Sequence, residues 1–487
     1  MKLIGSFLTL LLASSPGFFA VAADKPNIVF IITDDQAADA VAAGKLWGAE
    51  KSGLRTPNLD QLYQNGTVFR QAYNMGAWHG AVCVASRSML LTGQFVWETK
   101  KEEQGKFAKR VAEGKTWSQR MKSAGYETYM SGKWHVETDV KKIFDYTEHI
   151  RPGMCKTVPE SYSRPIEGKP DAWSSSDPKN GGLWEGGKHW SEVLADDAET
   201  FVKQAAGEKK PFFLYLAFNA PHDPRQAPQS WLDQYPVDKV PVPENFLPIN
   251  PHRAIMGLEG AGGSNVMRDE KLAPFPRTEF AVRTHRKEYY AMVSHTDEQV
   301  GRIMKALEVA GVRENTIVIF TSDHGLAIGR HGLMGKQNMF EHSLRVPFVI
   351  SGPQVPKGKV IDERIYLQDA VATALDMAGA DGSDIDFKSL RPLMQGEKDK
   401  HYEAIYGAFE AQSQRTVIDG TYKLILYPKG KVAMLFDLSR DPLEKEPIGD
   451  SAAAEATKKR LFAKLLRMQK EMGDPLDLAT FYPQWKK

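Results

Sequence analysis

Cysteine is nearly absent: Cys83 and Cys155 are the only two in 487 residues. So few thiols exclude a disulfide scaffold and a cysteine-rich zinc module. A dominant charge is missing as well. Lys and Arg number 63 against 61 Asp and Glu, a formal charge of +2, which provides no field to attract nucleic acid or an anionic membrane surface. Internal repeats and low-complexity tracts are lacking. With 42% apolar and 25% charged residues, the composition is that of a globular protein and not of a disordered tail or a collagen-like repeat. An apolar run of ~20 residues, as a membrane span needs, does not occur.

The N-terminus carries a shorter one. Lys2 precedes the apolar stretch Leu3 to Leu12, Ser14-Ser15-Pro16 interrupts it, and Ala20-Val21-Ala22 or Val21-Ala22-Ala23 offers small residues for cleavage. This pattern predicts a signal peptide over residues 1–23 and an exported, periplasmic or secreted product, against the alternative of an N-terminal anchor. No cysteine follows the stretch, so no lipid-anchor site is seen. In an oxidising compartment a Cys83–Cys155 disulfide stands as the alternative to a chemical role for Cys83.

Four short, mostly apolar runs read as strands covered on both faces, and each ends in polar residues. Asn27–Ile32 runs into Thr33-Asp34-Asp35, and Tyr126–Met130 into Ser131-Gly132-Lys133-Trp134-His135. Phe212–Phe218 leads to Asn219-Ala220-Pro221-His222, and Thr316–Phe320 to Thr321-Ser322-Asp323-His324-Gly325. Helical patterns alternate with them: one from Thr56-Pro57 to Gly66, then Trp117–Ala124, Glu192–Lys203 and Arg286–Ala310. The alternation predicts a doubly wound α/β sheet, with the four polar clusters sharing one cleft at the carboxyl ends of the strands. Residues 152–188 and 236–276 read as long surface insertions. The chain divides into a catalytic domain over 24–398 and a small α+β C-terminal subdomain over 399–487. The subdomain has a hairpin about Asp419-Gly420, a strand Met434–Leu438 and a long helix Ala452–Met472.

Two constellations carry chemistry. Adjacent carboxylates Asp34-Asp35 repel unless a cation lies between them, and Asp323-His324 ends another strand. Three carboxylates with a fourth ligand suit one hard divalent cation, Ca²⁺ before Mg²⁺, although imidazole is the softer donor. A solvated turn is the plain alternative. The second is Cys83-Val84-Ala85-Ser86-Arg87. A helix beginning just beyond Cys83 would favour a bound anion, and Arg87 one turn on adds a fork for a tetrahedral oxyanion. The plain alternative is a buried structural cysteine and a surface arginine.

Cys83-Val84-Ala85-Ser86-Arg87, followed by Leu91-Thr92-Gly93, resembles the maturation signature Cys-x-(Pro/Ala)-x-Arg of the type I sulfatases, with Ala85 at the Pro/Ala position. Asp34-Asp35 and Asp323-His324 are similar to the family's two metal-binding pairs, the histidine resembling the iduronate-2-sulfatase branch. Gly132-Lys133-Trp134-His135, Ala220-Pro221-His222 and His331-Gly332-Leu333-Met334-Gly335-Lys336 resemble its sulfate-binding elements. Phe436 to Glu444 is similar to its closing subdomain. The resemblance implies an alkaline-phosphatase-superfamily fold with a large, mostly parallel mixed sheet. It implies that a formylglycine-generating or anaerobic maturing enzyme converts Cys83 to formylglycine, whose gem-diol attacks sulfur to give a Ca²⁺-assisted sulfo-enzyme intermediate. Metal ligands would be Asp34, Asp35, Asp323, His324 and position 83. Arg87, Lys133, His222 and Lys336 would bind sulfate, and His222 or His135 would protonate the leaving group. Each has a plain reading: Lys133 as a solvated lysine, the histidines as satisfied core residues, Lys336 paired with Glu341. Trp78, His79, Trp134 and Arg225 flank the motifs and are left outside the core site. The expected substrate is a sulfated carbohydrate. The alternatives are a phosphonate monoester or phosphodiester hydrolase, and an inactive carbohydrate-binding homologue.

Overall fold

The structure, a computed structural model, describes residues 25–44, 52–258, 266–410 and 413–485. The signal-peptide reading of 1–23 lies outside them. Among the described residues no helix is long and apolar enough to cross a membrane.

The strand Asn27–Thr33 is buried at every position because apolar side chains alternate between two covered faces. Ile28, Phe30 and Ile32 pack toward Trp117 and Met121, whereas Val29 and Ile31 pack toward Phe201, Val300 and Ile303. Each such side chain withdrawn from water contributes about 1.5–3 kcal/mol. The first layer holds the helices Trp117–Ser123 and Asp369–Ala378, and the second holds Pro57–Gln64, Trp190–Ala206 and Glu279–Val309. Leu194, Ala198, Phe201, Val202 and Ala205 are buried on Trp190–Ala206, an apolar stripe at helical spacing. Thr116 and Gln119 form a capping box that starts Trp117–Ser123.

Nine strands form the large sheet among the described residues. Asn27–Thr33 lies between Thr316–Ser322 and Phe212–Ala217; Glu127–Lys133 and Tyr146–Arg151 follow beyond the latter, and all five strands run parallel. On the other side Phe348–Ser351 turns antiparallel to Thr316–Ser322, and Thr67–Tyr73 pairs with it, with Arg345–Val346 and, in parallel, with Lys359–Tyr366. The sheet is therefore mixed and mostly parallel, as expected.

A second sheet joins Ile405–Phe409, Gln414–Asp419, Tyr422–Tyr427 and Val432–Asp437 in antiparallel order, with Gly76–Ala77 added in parallel at its edge. The helix Ala452–Met472, capped by Ser451, buries Leu461, Phe462 and Leu465 in the core that this sheet builds with Val417 and Leu424.

Candidate active site

Register places the four polar clusters side by side. Thr33 is level with Ser322, Ile32 with both Thr321 and Ala217, and Ala217 with Gly132. The chain leaves these strands at one carboxyl edge, where open α/β sheets bind ligands. Two non-glycine residues there adopt a positive φ, Asp35 at 70° and His135 at 52°, a strain that persists only where the surroundings enforce it. The Tyr289 hydroxyl donates to the Asp35 carbonyl at 2.9 Å, and the Asp35 N–H donates to Asp323 Oδ1 at 3.3 Å.

Asp34, Asp35, Cys83, Asp323 and His324 are all buried, and each offers a ligand atom within 4.8 Å of the others. This cluster can hold a metal ion. Cys83 is the second residue of the helix Val82–Thr92, which starts one residue ahead of Cys83 and not beyond it. The helix N-terminus is thereby brought onto the thiol, and no side chain caps it. Cys83 Sγ lies 3.3 Å from Asp34 Oδ1 and 3.2 Å from His324 Nε2. Both cysteines are free thiols, so the disulfide alternative is not realised.

Three cations close the cluster. Arg87 spans Asp323 Oδ2 at 3.1 Å through Nε and Asp34 Oδ2 at 3.2 Å through Nη2, and its Nη1 donates to the Lys133 carbonyl at 3.0 Å. Lys133, the last strand residue, pairs through Nζ with Asp34. Lys336 reaches Asp35 at 2.7 and 3.0 Å and Cys83 Sγ at 3.3 Å. Glu341 is instead engaged by Lys423 and Arg345, so the local Lys336–Glu341 pairing is not the one the fold makes. His222 Nε2 faces Asp35 Oδ2 at 3.9 Å, while its Nδ1 meets the Asp223 carbonyl at 2.7 Å. The His135 ring occupies the space above Gly153, where a Cβ would fall 2.0 Å from its Cδ2. A side chain at position 153 would therefore have to displace that ring.

The charges act on one another in a buried site. Burial raises Asp35 to about 6 against the pull of Lys336, His222 and His324. Burial likewise raises Asp323, with Asp34 adding to it. At Asp34 burial is outweighed by Lys133, His222 and Arg87, and the carboxyl falls below its ordinary range. Burial also opposes ionisation of Cys83, yet Lys133, Lys336 and His324 pull the thiol well down. At His222 burial is outweighed by Asp35 and Asp223, which raise it, whereas burial lowers His135 despite its hydrogen bond to Cys83.

The flanking residues have structural partners. Trp78 donates to Glu103, His79 approaches the same carboxylate at 3.6 Å, Trp134 donates to the Thr138 carbonyl, and Arg225 meets His285 at 3.0 Å. Sequence reasoning missed the charged tripeptide Arg268-Asp269-Glu270, which returns from the second insertion to the site. Arg268 pairs with Asp223, directly after His222 in the chain. Its one visible signal is the run of four charges from Arg268 to Lys271 inside a Gly- and Pro-rich stretch.

Fixed cations around a buried thiol and three carboxylates serve displacement at a tetrahedral oxyanion ester. The fold and site define a hydrolase of the alkaline-phosphatase-like class. Residues 26–380 match the family described as Sulfatase, and residues 329–471 match that described as N-sulphoglucosamine sulphohydrolase, C-terminal. The chain belongs to the sulfatase family and is a sulfuric ester hydrolase. It is 26% identical over 479 residues to an ulvan-active sulfatase of Formosa agariphila, spanning 94% of this chain and 84% of that one. A solved structure in complex with its substrate D-glucosamine-2-N,6-O-disulfate shares the fold with a TM-score of 0.70 at 23% identity, covering 93% of this chain and 99% of that one. The phosphonate monoester hydrolase of Agrobacterium radiobacter shares it with a TM-score of 0.70 at 19% identity, over 92% and 96% of the two chains.

Proposed function

We propose that this sulfatase removes sulfate from a sulfated carbohydrate, using formylglycine made from Cys83 and one Ca²⁺ held by Asp34, Asp35, Asp323, His324 and the residue at position 83. The observation that carries the reading is the position of Cys83 Sγ, within 3.3 Å of Asp34, His324 and Lys336 in one buried cluster. The sugar is supported by the relatives, one acting on ulvan and one holding a glucosamine disulfate. Export rests on the pattern of residues 1–23.

The donor set fits a hard dication. Most of its atoms are protein oxygens, which favours Ca²⁺ over the more hydrated Mg²⁺. Charge fits too. Asp34, Asp35 and Asp323 are balanced by Arg87, Lys133 and Lys336, so a dication leaves the site positive toward a sulfate monoester and an ionised nucleophile. A hydrated aldehyde supplies two hydroxyls on one carbon, and the bound cation supplies Lewis acidity toward them.

The chain's own side chains do the remainder. Lys133 and Lys336 hold the sulfate oxygens and counter the charge that grows as the bond breaks. Arg87 fixes Asp34 and Asp323 and presents a cation to the same oxygens. His222, with Nδ1 held by the Asp223 carbonyl, keeps Nε2 for the leaving oxygen. Asp35 and Asp223 outweigh burial and favour its protonated form, whereas burial disfavours the charged form of His135. His222 is therefore the proton donor.

The test is release of sulfate from a panel of sulfated mono- and oligosaccharides, beside phosphonate and phosphodiester controls. It uses protein co-expressed with a maturing enzyme and loaded with Ca²⁺. Conversion is read by intact mass, which falls by the difference between H₂S and O. Turnover of a sulfated sugar supports the reading. Fully converted protein that prefers the phosphorus esters, or hydrolyses nothing, overturns it.

A further inference from the structure

Lys336 is placed by residues that no motif contains. It sits in the loop between the strand Thr316–Ser322 and the helix Glu341–Leu344, where no regular element fixes its backbone. Glu270, from the insertion over 236–276, does so instead. Its Oε1 accepts from the Gly335 N–H at 2.8 Å and the Met334 N–H at 3.1 Å. Oε2 is held by Arg277 Nη2 at 2.5 Å, and Arg277 also donates to the carbonyls of Glu270, Ala273 and Gly332. Glu270 is 4% exposed, so its carboxylate binds these groups without competition from water.

A second tie reaches the next peptide. The Lys336 N–H donates to Gln337 Oε1 at 3.1 Å, and Gln337 Nε2 donates to Asp269 Oδ2 at 2.8 Å and to the Gly80 carbonyl at 3.1 Å. Gly80 lies three residues before Cys83, so this tie links the Lys336 loop to the segment entering the Cys83 helix. The fit is close: a Cβ at Gly335 would fall 2.5 Å from Gln337 Oε1 and 2.8 Å from Asp269 Cβ. Lys336 has a long, flexible stem, yet its Nζ must meet Asp35 and position 83 at once. A stem of that kind aims reliably only if its Cα is held.

We propose that Glu270, with Asp269 acting through Gln337, is a positioning residue for Lys336, setting the ammonium against the sulfate oxygens by fixing three successive N–H groups of its loop. The inference rests on the sulfate-binding role assigned to Lys336 above. Neither acid touches the reacting group.

A double-mutant cycle on matured, Ca²⁺-loaded enzyme tests it, reading kcat/KM and the inhibition constant of inorganic sulfate for Glu270→Ala, Lys336→Ala and the pair. Displacing a catalytic group by about 1 Å costs on the order of a hundredfold, so Glu270→Ala is expected to lower kcat/KM by that order and to weaken sulfate inhibition. The double variant should be no worse than Lys336→Ala alone, because the clamp has nothing left to aim. Glu270→Gln, which retains an acceptor oxygen for both N–H groups, should recover most of the loss. Gln337→Ala, a milder cut of the second tie, should reproduce the effect in part if Glu270→Ala does not fold. Losses that multiply in the double variant, or a Glu270→Gln enzyme as poor as Glu270→Ala, overturn the proposal. A wild type with no sulfatase activity would instead overturn the functional reading beneath it.

Discussion

Lys336 Nζ lies 3.3 Å from Cys83 Sγ across 253 residues of chain. The same ammonium bridges to Asp35, so it touches both the nucleophile position and the candidate metal site. Removing it leaves Asp35 short of a counter-charge and, on the proposed reading, a sulfate oxygen short of a donor. Lys336→Ala is expected to lower kcat/KM by about 10²–10³, the usual cost of one preorganised donor. Lys336→Arg should recover little, since a planar fork cannot replace a point charge meeting two partners. Steady-state kinetics on one sulfate ester decides this, and an Ala variant within a few-fold of wild type removes Lys336 from the site.

How far the site was legible follows from the same residue. Asp34, Asp35, Asp323 and His324 could be read because each pair ends an uninterrupted apolar run, and parallel strand ends must gather at one edge. Lys336 has no such marker. Its nearest acid in sequence is Glu341, and only the path of the loop back over the sheet sends it to Asp35 instead. The large sheet was legible for the reason its strand ends were. The Glu270 clamp was not, because its partners are backbone N–H groups in a loop, and such groups have no residue type. Lys423 was concealed differently. A lysine within Tyr422–Tyr427 reads as one facing water, yet it is fully buried between Glu341 and Glu444.

As the proposed proton donor, His222 should separate substrates by leaving group. A sugar alkoxide is a poor leaving group and needs a proton as the bond breaks, while a nitrophenolate leaves without one. His222→Ala is therefore expected to cost roughly 10²–10⁴ on a sugar sulfate and far less on nitrophenyl sulfate. Equal losses on the two esters would reject His222 as the proton donor and return the role to His135.

The cation can be detected without turnover. A ligand that binds only the folded protein stabilises it by about 2.7 kcal/mol at a hundredfold excess over Kd. Thermal melts should therefore rise on adding Ca²⁺ and fall again with a chelator, with Mg²⁺ giving the smaller shift. Asp35→Asn or Asp323→Asn should abolish the Ca²⁺ response, since each removes a charged ligand from the cluster. A melt that ignores Ca²⁺, or responds equally to Mg²⁺, argues against a Ca²⁺ site.

Away from the cleft, Lys423 Nζ sits 2.9 Å from Glu341 Oε1 and 2.7 Å from Glu444 Oε1, and Glu444 Oε2 accepts from the Glu341 N–H at 2.6 Å. This buried knot joins the C-terminal sheet to the segment just after Lys336. Burial pushes Glu444 up to about 7, with Glu341 adding to the rise and Lys423 opposing it. In the unfolded chain the same carboxyl ionises near its ordinary 4.5. Between these values the folded protein holds a proton that the unfolded chain has released, so this contribution to stability is complete at low pH and is lost as pH rises through about 7. Urea unfolding across that range should show stability falling with pH, and Glu444→Gln should flatten the slope because a neutral amide has no proton to lose. Lys423→Met should cost about 3–5 kcal/mol, the penalty for stranding a buried partner. An unchanged slope in Glu444→Gln would place the titration elsewhere.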